Sequence, residues 1–434
     1  MSQRTSHRRQ LAAVAIAGAV ALAGLVGCGS DNKSGGSAGT AGTTGTTVAQ
    51  KPTGTPIKIG TVATVGMPIG TFPESFAGVK AAAQGINAAG GIDGHPLVVE
   101  TCNGKFDPNQ ELACARKLVG DGVVAMIGAM PLANVPGYEA TLIKGHVVDL
   151  ASNGVFPQSY EGPNVYPIDF LPGQAFACAD GALAKQTTGT DQVRVIVGDS
   201  VGEKSSIPQF QTAAKNLGSQ LQEPVLVPQT ATDLSPIVQQ MANRGKGLVS
   251  WFVSPPQTVA FVAAAASAGQ DWAFCSADGI ARAQRIKLGA ALKSFYVGSG
   301  LPSLSEGAKY PLVAQFNQQI KALVDSGDQD AKVSMENFPS HALRAWLGVQ
   351  AFKQIVGGIH GPITAPAVYA ATAKAHVDLG GTVPPLDFSK PVGTGAYPRV
   401  FNPIVSISRW DPAKQDTVPV PGLKPIDGVK ALQG

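Results

Sequence analysis

Short β-branched runs alternate with helix-length segments along most of this chain, and this alternation constrains its fold more than any other feature. Consecutive parallel strands need a crossover of a dozen or more residues, which the helix-length segments supply. The runs predicted as strands are 57–62, 97–101, 123–128, 147–150, 193–197, 225–227, 248–253, 272–275, 295–297 and 404–410. The sequence therefore predicts an α/β fold with parallel sheets that are covered by helices on both faces.

Two successive runs of this alternation indicate two doubly wound lobes. Apolar residues at helical spacing, such as Phe76, Val79 and Ala83, mark the helix-length segments, and Gly90 and Gly91 end the first of them. Roughly 380 residues follow the N-terminal segments, which is too many for one compact core. Two cores are therefore expected.

The N-terminal segment has the pattern of an exported lipoprotein. Arg8 and Arg9 precede an apolar stretch, 11–26, that is shorter than the ~20 residues of a membrane-spanning helix. The stretch leads into Leu25-Val26-Gly27-Cys28, which is typical of a lipobox whose cysteine is lipidated after cleavage. We expect a signal peptide over 1–27, lipidation at Cys28 and a location at the extracytoplasmic face of the cell membrane. The alternative is an ordinary signal peptide with a chance cysteine, and the arginine pair also matches twin-arginine export.

Composition narrows the choice of partners. Segment 28–55 is rich in Gly, Ser and Thr and predicts a flexible tether, because it cannot bury enough apolar surface to offset its ordering entropy. The chain has 33 basic and 29 acidic residues, and three of its arginines precede Cys28, so the mature part carries a net charge of about +1. A near-neutral protein lacks the basic surface that nucleic-acid binding requires. Nucleic acid is therefore not an expected partner.

Beyond Cys28 the mature part has four cysteines, Cys102, Cys114, Cys178 and Cys275. In an oxidising compartment an even number favours disulfides, with three possible connectivities. A bond from Cys102 to Cys114 would join a strand to the next helix and contribute about 3 kcal/mol in the chain-entropy model. Cys178 and Cys275 would then pair. Four buried free thiols are the alternative, and a zinc site is disfavoured because no CxxC motif or histidine pair is present.

The turns after the strands are the expected binding region, because ligands of doubly wound sheets bind beyond the carboxyl ends of the strands. Small and hydroxyl residues dominate these turns. They cover 66–74, 129–134, 151–154, 199–203, 254–257 and 276–279.

One of these turns carries a catalytic-looking motif. Gly-Asp-Ser-Val-Gly around Ser200 matches the G-x-S-x-G nucleophile elbow and follows a predicted strand. A serine hydrolase would use Ser200 with Asp278 as its acid and one of the later histidines, His341, His360 or His376. The simpler interpretation is a turn whose serine caps the next helix or contacts a ligand, since no oxyanion-loop motif precedes it.

Several short motifs occur in a recognisable order. They are Ile-Lys-Ile-Gly at 57–60, Ile-Asn-Ala-Ala-Gly-Gly-Ile-Asp-Gly at 86–94, Asp-Pro at 107–108, Ala-Cys-Ala-Arg-Lys-Leu-Val at 113–119 and Ile-Gly at 127–128. In this order and spacing the chain resembles, over 57–410, the type I periplasmic binding proteins of the Leu/Ile/Val-binding kind, the solute receptors of ABC importers.

The resemblance implies two lobes joined by a hinge of three crossovers, near 169–172, 299–302 and 383–387. Lobe one would then comprise 56–170 and 302–384, and lobe two 171–301 and 385–434. In such proteins the ligand bridges the two lobes and its contacts stabilise their closed arrangement.

The resemblance also implies a set of ligand-binding residues. Alignment with the family gives Met130, Asn134, Ser152 and Asn153 from lobe one, and Ser200, Val201, Ser254 and Asp278 from lobe two. Asp278 matches the acid that holds an ammonium group in amino-acid binders. Met130 begins a turn where those binders have a Ser/Thr run, and Val201 stands where an aromatic is common. We therefore expect a less polar or amide-like solute, with Phe72 beside it. Ordinary packing is the alternative for each side chain.

The function implied is a membrane-tethered receptor that delivers a small molecule to the membrane subunits of an ABC permease. The receptor itself would have no catalytic activity, cofactor or metal. A ligand-sensing lipoprotein that signals to a partner would share this fold and cleft, and is the alternative.

Overall fold

The computed structural model describes residues 51–67 and 70–434, and in addition leaves out the side chains of 201 and 202. The predicted leader, Cys28 and the tether up to residue 50 lie outside these residues. The strands are β1 (Ile57–Ala63), β2 (Leu97–Asn103), β3 (Ala125–Ile127), β4 (Val148–Leu150), β5 (Val165–Tyr166), β6 (Gln192–Gly198), β7 (Gln220–Leu221), β8 (Val225–Val227), β9 (Leu248–Phe252), β10 (Phe274–Ser276), β11 (Phe295–Ser299), β12 (His376–Val377), β13 (Leu386–Asp387), β14 (Ile404–Asp411), β15 (Asp416–Pro419) and β16 (Ile426–Asp427).

The helices alternate with these strands through most of the chain. They are α1 (Glu74–Ala88), α2 (Pro108–Gly120), α3 (Val135–Lys144), α4 (Leu171–Phe176), α5 (Gly181–Thr188), α6 (Val201–Lys204), α7 (Ser206–Asn216), α8 (Ser235–Ala242), α9 (Pro255–Ser267), α10 (Arg282–Leu288), α11 (Pro311–Asp325), α12 (Gln329–Glu336), α13 (Pro339–Gly357), α14 (Ala365–Thr372) and α15 (Gly428–Ala431).

The first sheet has the order β2-β1-β3-β4-β5, and all of its strand pairs are parallel. Successive side chains of a strand point to opposite faces, so β1 contributes to two cores. Ile57 and Ile59 join one core with Trp346 of α13. Val62 joins the other with Tyr138 of α3. Every residue of β1 except Lys58 is buried, as expected for a strand that is covered on both faces.

The second sheet has the order β15-β14-β11-β10-β9-β6-β7, with β8 paired to β6 and β16 to β14. Strand β6 again divides its side chains, with Val195 in one core and Ile196 in the other. Strands β6 to β11 run parallel, whereas β14 is antiparallel to β11 and to β15. The two doubly wound lobes are thus confirmed, and the second sheet adds an antiparallel edge to its parallel strands. The loop between β14 and β15 is too short for a parallel crossover and forms an antiparallel hairpin instead.

Helix α13 packs unusually close to the first sheet. A Cβ on Gly78 of α1 would lie 2.2 Å from the carbonyl oxygen of Ala342, and one on Gly128 would lie 2.4 Å from the Cβ of Ala345. Gly128 also has a φ of +61°, which disfavours any other residue. These glycines allow the N-terminal turns of α13 to approach the turns that follow the first strands.

Two disulfides tie helical segments to strands. Cys102 of β2 pairs with Cys114 of α2, and Cys178 pairs with Cys275 of β10. Both predicted pairings are therefore present. No helix in the described ranges is long and apolar enough to cross a membrane.

Candidate functional site

A cleft of about 430 Å³ lies among turns that belong to both sheets. The first-sheet side provides the turn before α1, the turn after β3 and the start of α13. The second-sheet side provides α4 and the turns after β9 and β10. The volume is in the range of small-molecule sites. The position beyond the carboxyl ends of the parallel strands is where such sheets bind ligands.

Most of the lining is apolar and aromatic. Phe176 and Phe252 stack with 5.3 Å between ring centroids, and Phe72 and Phe338 stack with 6.0 Å between theirs. The apolar residues of the lining include Phe72, Met130, Phe156, Phe176, Trp251, Phe252, Phe338 and Tyr397. A solute that enters this cleft would lose contacts with water and gain contacts mainly with aliphatic and aromatic side chains. The lining therefore favours solutes whose main part is apolar.

The charged residues of the lining are two acids, Glu203 and Asp278, and the described part of the chain adds no lysine or arginine to it. Asp278 is paired with Arg285 and also accepts a hydrogen bond from the hydroxyl of Ser340 on α13. Burial lowers the pKa of Arg285 to about 10, so its guanidinium stays charged at neutral pH. The charge of Asp278 is therefore already compensated inside the protein.

A smaller recess of about 40 Å³ adjoins the cleft at Asp278 and His341. Arg285 and Arg344 line it, together with backbone of β11. A recess of this size holds one or two waters, not a solute. One end of the solute cleft is therefore polar. We call this end, formed by Asp278 and His341 with Arg285 and Arg344 beyond them, the polar corner.

His341 forms part of that corner. Its ring is half-buried, stacks on Phe338 and has Nδ1 at 3.1 Å from Nδ2 of Asn153. Asn153 also contacts the sulfur of Met130 at 3.4 Å. Burial, reinforced by the positive charges of Arg344 and Arg285, holds the pKa of His341 well below its usual range. The ring is neutral at physiological pH.

A buried carboxyl group lies next to the stacked rings of Phe72 and Phe338, which we call the aromatic wall. Glu74 begins α1 and is 1% exposed, and its Oε1 accepts a hydrogen bond from the backbone N–H of Phe338. Its Oε2 has no partner among the described residues. Burial raises the pKa of Glu74 to about 8, against the lowering effect of its backbone hydrogen bonds. A neutral carboxyl is therefore expected here at pH 7.

The structure brings some of the predicted binding residues to the cleft. Phe72, Met130 and Asp278 line it, and Asn153 lies directly behind Met130 and His341. Direct contact between these side chains and a ligand stays a prediction.

Three other predicted binding residues, Asn134, Ser152 and Ser254, have partners within the protein and do not line the cleft. Asn134 caps α3 by accepting from Gly137 N–H at 3.0 Å. Ser152 donates to the buried carboxylate of Asp149. Ser254 donates to Gln257 at 3.1 Å. Val201 begins α6, and its side chain lies outside the described part.

Ser200 has the environment of a capping residue. Its hydroxyl donates to Oε2 of Glu203 at 2.7 Å and accepts from the N–H of Glu203 at 3.1 Å. None of the three candidate histidines is its partner: His341 bonds Asn153, His376 pairs with Asp387, and His360 is exposed. The serine–histidine contact that a hydrolase needs is not formed among the described residues.

Sequence reasoning missed several residues of the lining, notably Phe156, Phe338 and Tyr397. Phe338 lies directly before α13, and Tyr397 lies in the long loop after β13, a strand of 2 residues that the sequence does not predict. A search restricted to turns after strands could not find them. The Pro339 that starts α13 after an aromatic is a helix-start signal that marks this position. The described residues contain no group of three or more metal-ligating side chains.

Comparison with known proteins identifies the family. The sequence model of the family described as periplasmic binding protein matches residues 56–398. The chain therefore belongs to the periplasmic binding protein family, in its type I form with the Leu/Ile/Val-binding proteins. The resemblance drawn from the sequence motifs is confirmed.

Individual relatives are more distant. The Leu/Ile/Val/Thr-binding protein of Salmonella typhimurium is 37% identical over 73 residues, which are 17% of this chain and 20% of that protein. The match thus spans about a fifth of the length of such curated relatives.

Several solved structures superimpose on most of this chain. A fatty acid ABC transporter substrate-binding protein from Thermomonospora curvata has a TM-score of 0.67 and 14% identity, and the match covers 88% of this chain and 96% of that one. An ABC transporter solute-binding protein from R. palustris in complex with 4-hydroxybenzoate has a TM-score of 0.66 and 16% identity, with 86% and 97% covered. These likenesses establish a common fold.

Proposed function

We propose that this protein is the solute-binding lipoprotein of an ABC importer, which captures a small, largely apolar molecule between its lobes. The observation that carries the proposal is the 430 Å³ cleft, whose aromatic lining comes from turns of both sheets. A ligand held by both sides favours their closed arrangement through its differential contacts. Family membership supports a binding role without catalysis.

The named ligands of similar proteins support the class of solute. They include a fatty acid for one structural neighbour, 4-hydroxybenzoate for another and branched-chain amino acids for the curated relatives. What they share with the solute proposed here is an apolar body, whereas their carboxylate would find no cationic side chain among the described lining residues of this cleft. The aromatic lining of this cleft favours the same general type, with Phe72 and Met130 in contact with the apolar body.

The role of Asp278 is narrower than the family pattern implies. Because Arg285 and Ser340 already engage its carboxylate, we propose that it joins the two sides of the cleft rather than holding an ammonium group. Asp278→Asn would then weaken closure for every ligand alike. A loss confined to amine-bearing ligands would restore the ammonium-binding role.

The lobe boundaries are also part of the proposal. We retain 56–170 and 302–384 for lobe one, propose that it also includes 385–401, and keep 171–301 for the main part of lobe two. Phe388 and Phe401 pack in the core of the first sheet, whereas Val405 packs in that of the second. A third crossover after Phe401 suits these cores better than one near 384, with 402–434 completing lobe two.

The membrane attachment rests on the N-terminal pattern alone. We propose lipidation at Cys28, with the segment up to residue 55 as a tether that holds the lobes near the permease. Cys28→Ala should release the protein into the medium or periplasm without changing solute affinity. Retention of the Cys28→Ala protein in the membrane fraction would contradict the anchor.

A thermal-shift screen of residues 51–434 tests the binding role. The screen would include amino acids, amides, ureas and aromatic acids. A ligand that binds only the folded state stabilises it by about 2.7 kcal/mol at a hundred times its Kd, so a true ligand raises the Tm. Small-angle scattering with the same ligand should show compaction. Its absence would contradict closure.

A matched pair of variants locates the binding. Ala175 lines the cleft, so Ala175→Trp should fill it and abolish the Tm shift. Ala182 is exposed on α5, and Ala182→Trp should leave the shift intact. A ligand that stabilises both variants equally would bind elsewhere. Loss of cellular uptake of that ligand on deletion of the gene would then distinguish import from sensing.

A further inference from the structure

The polar corner of the cleft contains a histidine whose proton position is fixed by its neighbours. Arginine can only donate hydrogen bonds. Nη1 of Arg344 donates to Oδ1 of Asn153 at 2.9 Å, which orients the amide with its oxygen towards the guanidinium. The amide nitrogen of Asn153 then faces Nδ1 of His341 at 3.1 Å. Because an amide nitrogen also only donates, Nδ1 accepts and the ring proton lies on Nε2.

Buried charge anchors this orientation. Arg344 binds Asp169 through two parallel hydrogen bonds of 2.7 Å, and Gln174 donates to the same carboxylate at 2.9 Å. Arg344, Asp169 and Asn153 are each at most 3% exposed. Bidentate pairs of this kind are geometrically specific, so the amide of Asn153 has little freedom to flip.

The Nε2–H of His341 has no partner within the protein. No described residue accepts a hydrogen bond from it, and Nε2 is not among the buried side-chain atoms that lack a partner. It therefore faces the open space where His341 lines the cleft and the adjoining recess. The neutral state of the ring makes it a donor without a charge.

The charges around this donor discriminate among acceptors. The cations nearest His341, Arg285 and Arg344, line the adjoining recess and are already paired with Asp278 and Asp169. The cleft itself is lined by Glu203 and Asp278 and, within the described residues, by no cationic side chain. A carboxylate on the solute would lose its hydration without gaining an unpaired counter-ion, whereas an uncharged carbonyl would pay no such electrostatic cost.

We propose that His341 determines specificity by donating a hydrogen bond from Nε2 to an uncharged carbonyl-type acceptor on an otherwise apolar solute. The inference rests on the proposed function, because it assigns the chemistry of the same cleft. The acceptor would lie at the polar corner, and the apolar body would lie against the aromatic lining.

Three naphthalene probes with one ring system test the proposal by calorimetric or fluorescence titration. They are 2-naphthamide with an uncharged acceptor, 2-naphthoate with an anionic one and 2-ethylnaphthalene with none. A single uncharged hydrogen bond changes affinity by about fivefold. The wild type should therefore bind the amide about fivefold more tightly than the hydrocarbon, and more tightly than the anion.

His341→Leu should abolish the advantage of the amide and leave the Kd of 2-ethylnaphthalene nearly unchanged. His341→Gln, which retains a donor, should restore part of that advantage. His360 is exposed in the turn that follows α13, and His360→Leu should change none of the three affinities. A general loss for all three probes in His341→Leu would indicate a structural role and overturn the proposal.

The tautomer can be measured without any ligand. Two-bond ¹H–¹⁵N spectra of the wild type, assigned with His341→Gln, should show a neutral Nε2–H ring at pH 7. Asn153→Asp presents a carboxylate to Nδ1 and should move a proton to that nitrogen. A ring protonated on Nδ1 in the wild type would overturn the proposal whatever the probes do.

The probes distinguish a failure of the proposed apolar cleft from a failure of the role proposed for His341. If no probe binds the wild type, the apolar cleft of the proposed function is contradicted and the inference falls with it. If all three probes bind wild type and His341→Leu alike, or the anion binds best, only the inference is contradicted.

Discussion

The two sides of the cleft are held together by different forces. On the second-sheet side, Phe176 and Phe252 stack among other apolar side chains, and their attraction has little directional preference. On the first-sheet side, Asp169, Arg344 and Asn153 form directed hydrogen bonds in a buried network. Apolar area gives affinity for many solutes, whereas a fixed donor distinguishes among them. Substitutions on the two sides should therefore have different effects on stability and on solute affinity.

The largest expected effect comes from the network. Asp169→Ala leaves the guanidinium of Arg344 buried without its counter-ion, which costs about 3–5 kcal/mol in comparable cases. Urea denaturation measures the loss. Asp325 pairs with Lys321 on the exposed face of α11, and Asp325→Ala should cause no measurable change. Equal effects of the two substitutions would show that the network is not a special feature of this side.

The aromatic side should lose less stability and should lose it together with affinity. Phe176 is 4% exposed and contacts Phe210 and Phe252, so Phe176→Ala should cost about 3 kcal/mol through lost burial and a cavity. It should weaken binding of 2-ethylnaphthalene and 2-naphthamide by the same factor. Phe106 is 41% exposed, and Phe106→Ala is the control. A selective loss for one probe would contradict the non-directional role.

The buried carboxyl group of Glu74 should make the stability of the protein depend on pH. Because burial raises the pKa of Glu74 to about 8, its contribution to stability is fully present below about pH 4.5 and is lost as the pH rises through 8. Glu74→Gln should raise the Tm at pH 8 by a few degrees and change it little at pH 5. Glu336 is exposed on α12, and Glu336→Gln should have no effect at either pH.

Some pH dependence should persist in the Glu74→Gln protein. Asp149 is buried in the first sheet, and burial raises its pKa to about 6, so its stability contribution also declines as the pH rises. A Glu74→Gln profile identical to the wild-type profile would show that Glu74 is ionised throughout.

The smallest expected effect concerns the turn with the elbow-like motif. Ser200→Ala removes a cap for α6 and should cost about 1 kcal/mol, with solute affinity unchanged. Thermal denaturation and probe titration measure the two quantities. Ester hydrolysis that the wild type performs and Ser200→Ala abolishes would revive the hydrolase alternative.

The sequence predicts the framework well because buried parallel strands leave a strong signal. Runs such as 123–127 are apolar on both faces, and the turns predicted after such strands contain Phe72, Met130 and Asp278, which line the cleft. Strands of two residues, such as β5 and β12, carry no periodic pattern and were not predicted. Their pairing depends on tertiary neighbours that a local pattern does not contain.

The polar corner could not be predicted in the same way. His341 was considered only as a hydrolase base, because nothing local to residue 341 shows that α13 approaches the turn after β4. That approach depends on Gly78 and Gly128, which are far from α13 in the chain. Ser152 shows the opposite error: its position after β4 favoured ligand contact, but the neighbouring carboxylate of Asp149 engages its hydroxyl.

The order of the cysteine pairs has a consequence for biogenesis. The first two of the four bridge each other across 12 positions, and the last two across 97, so neither covalent loop encloses a strand of the opposite half. Formation of the disulfide in one half therefore cannot enclose the chain of the other half, whichever disulfide forms first. Because no bridge links the halves within the described chain, oxidants and reductants should alter the rigidity of each without locking the movement between them.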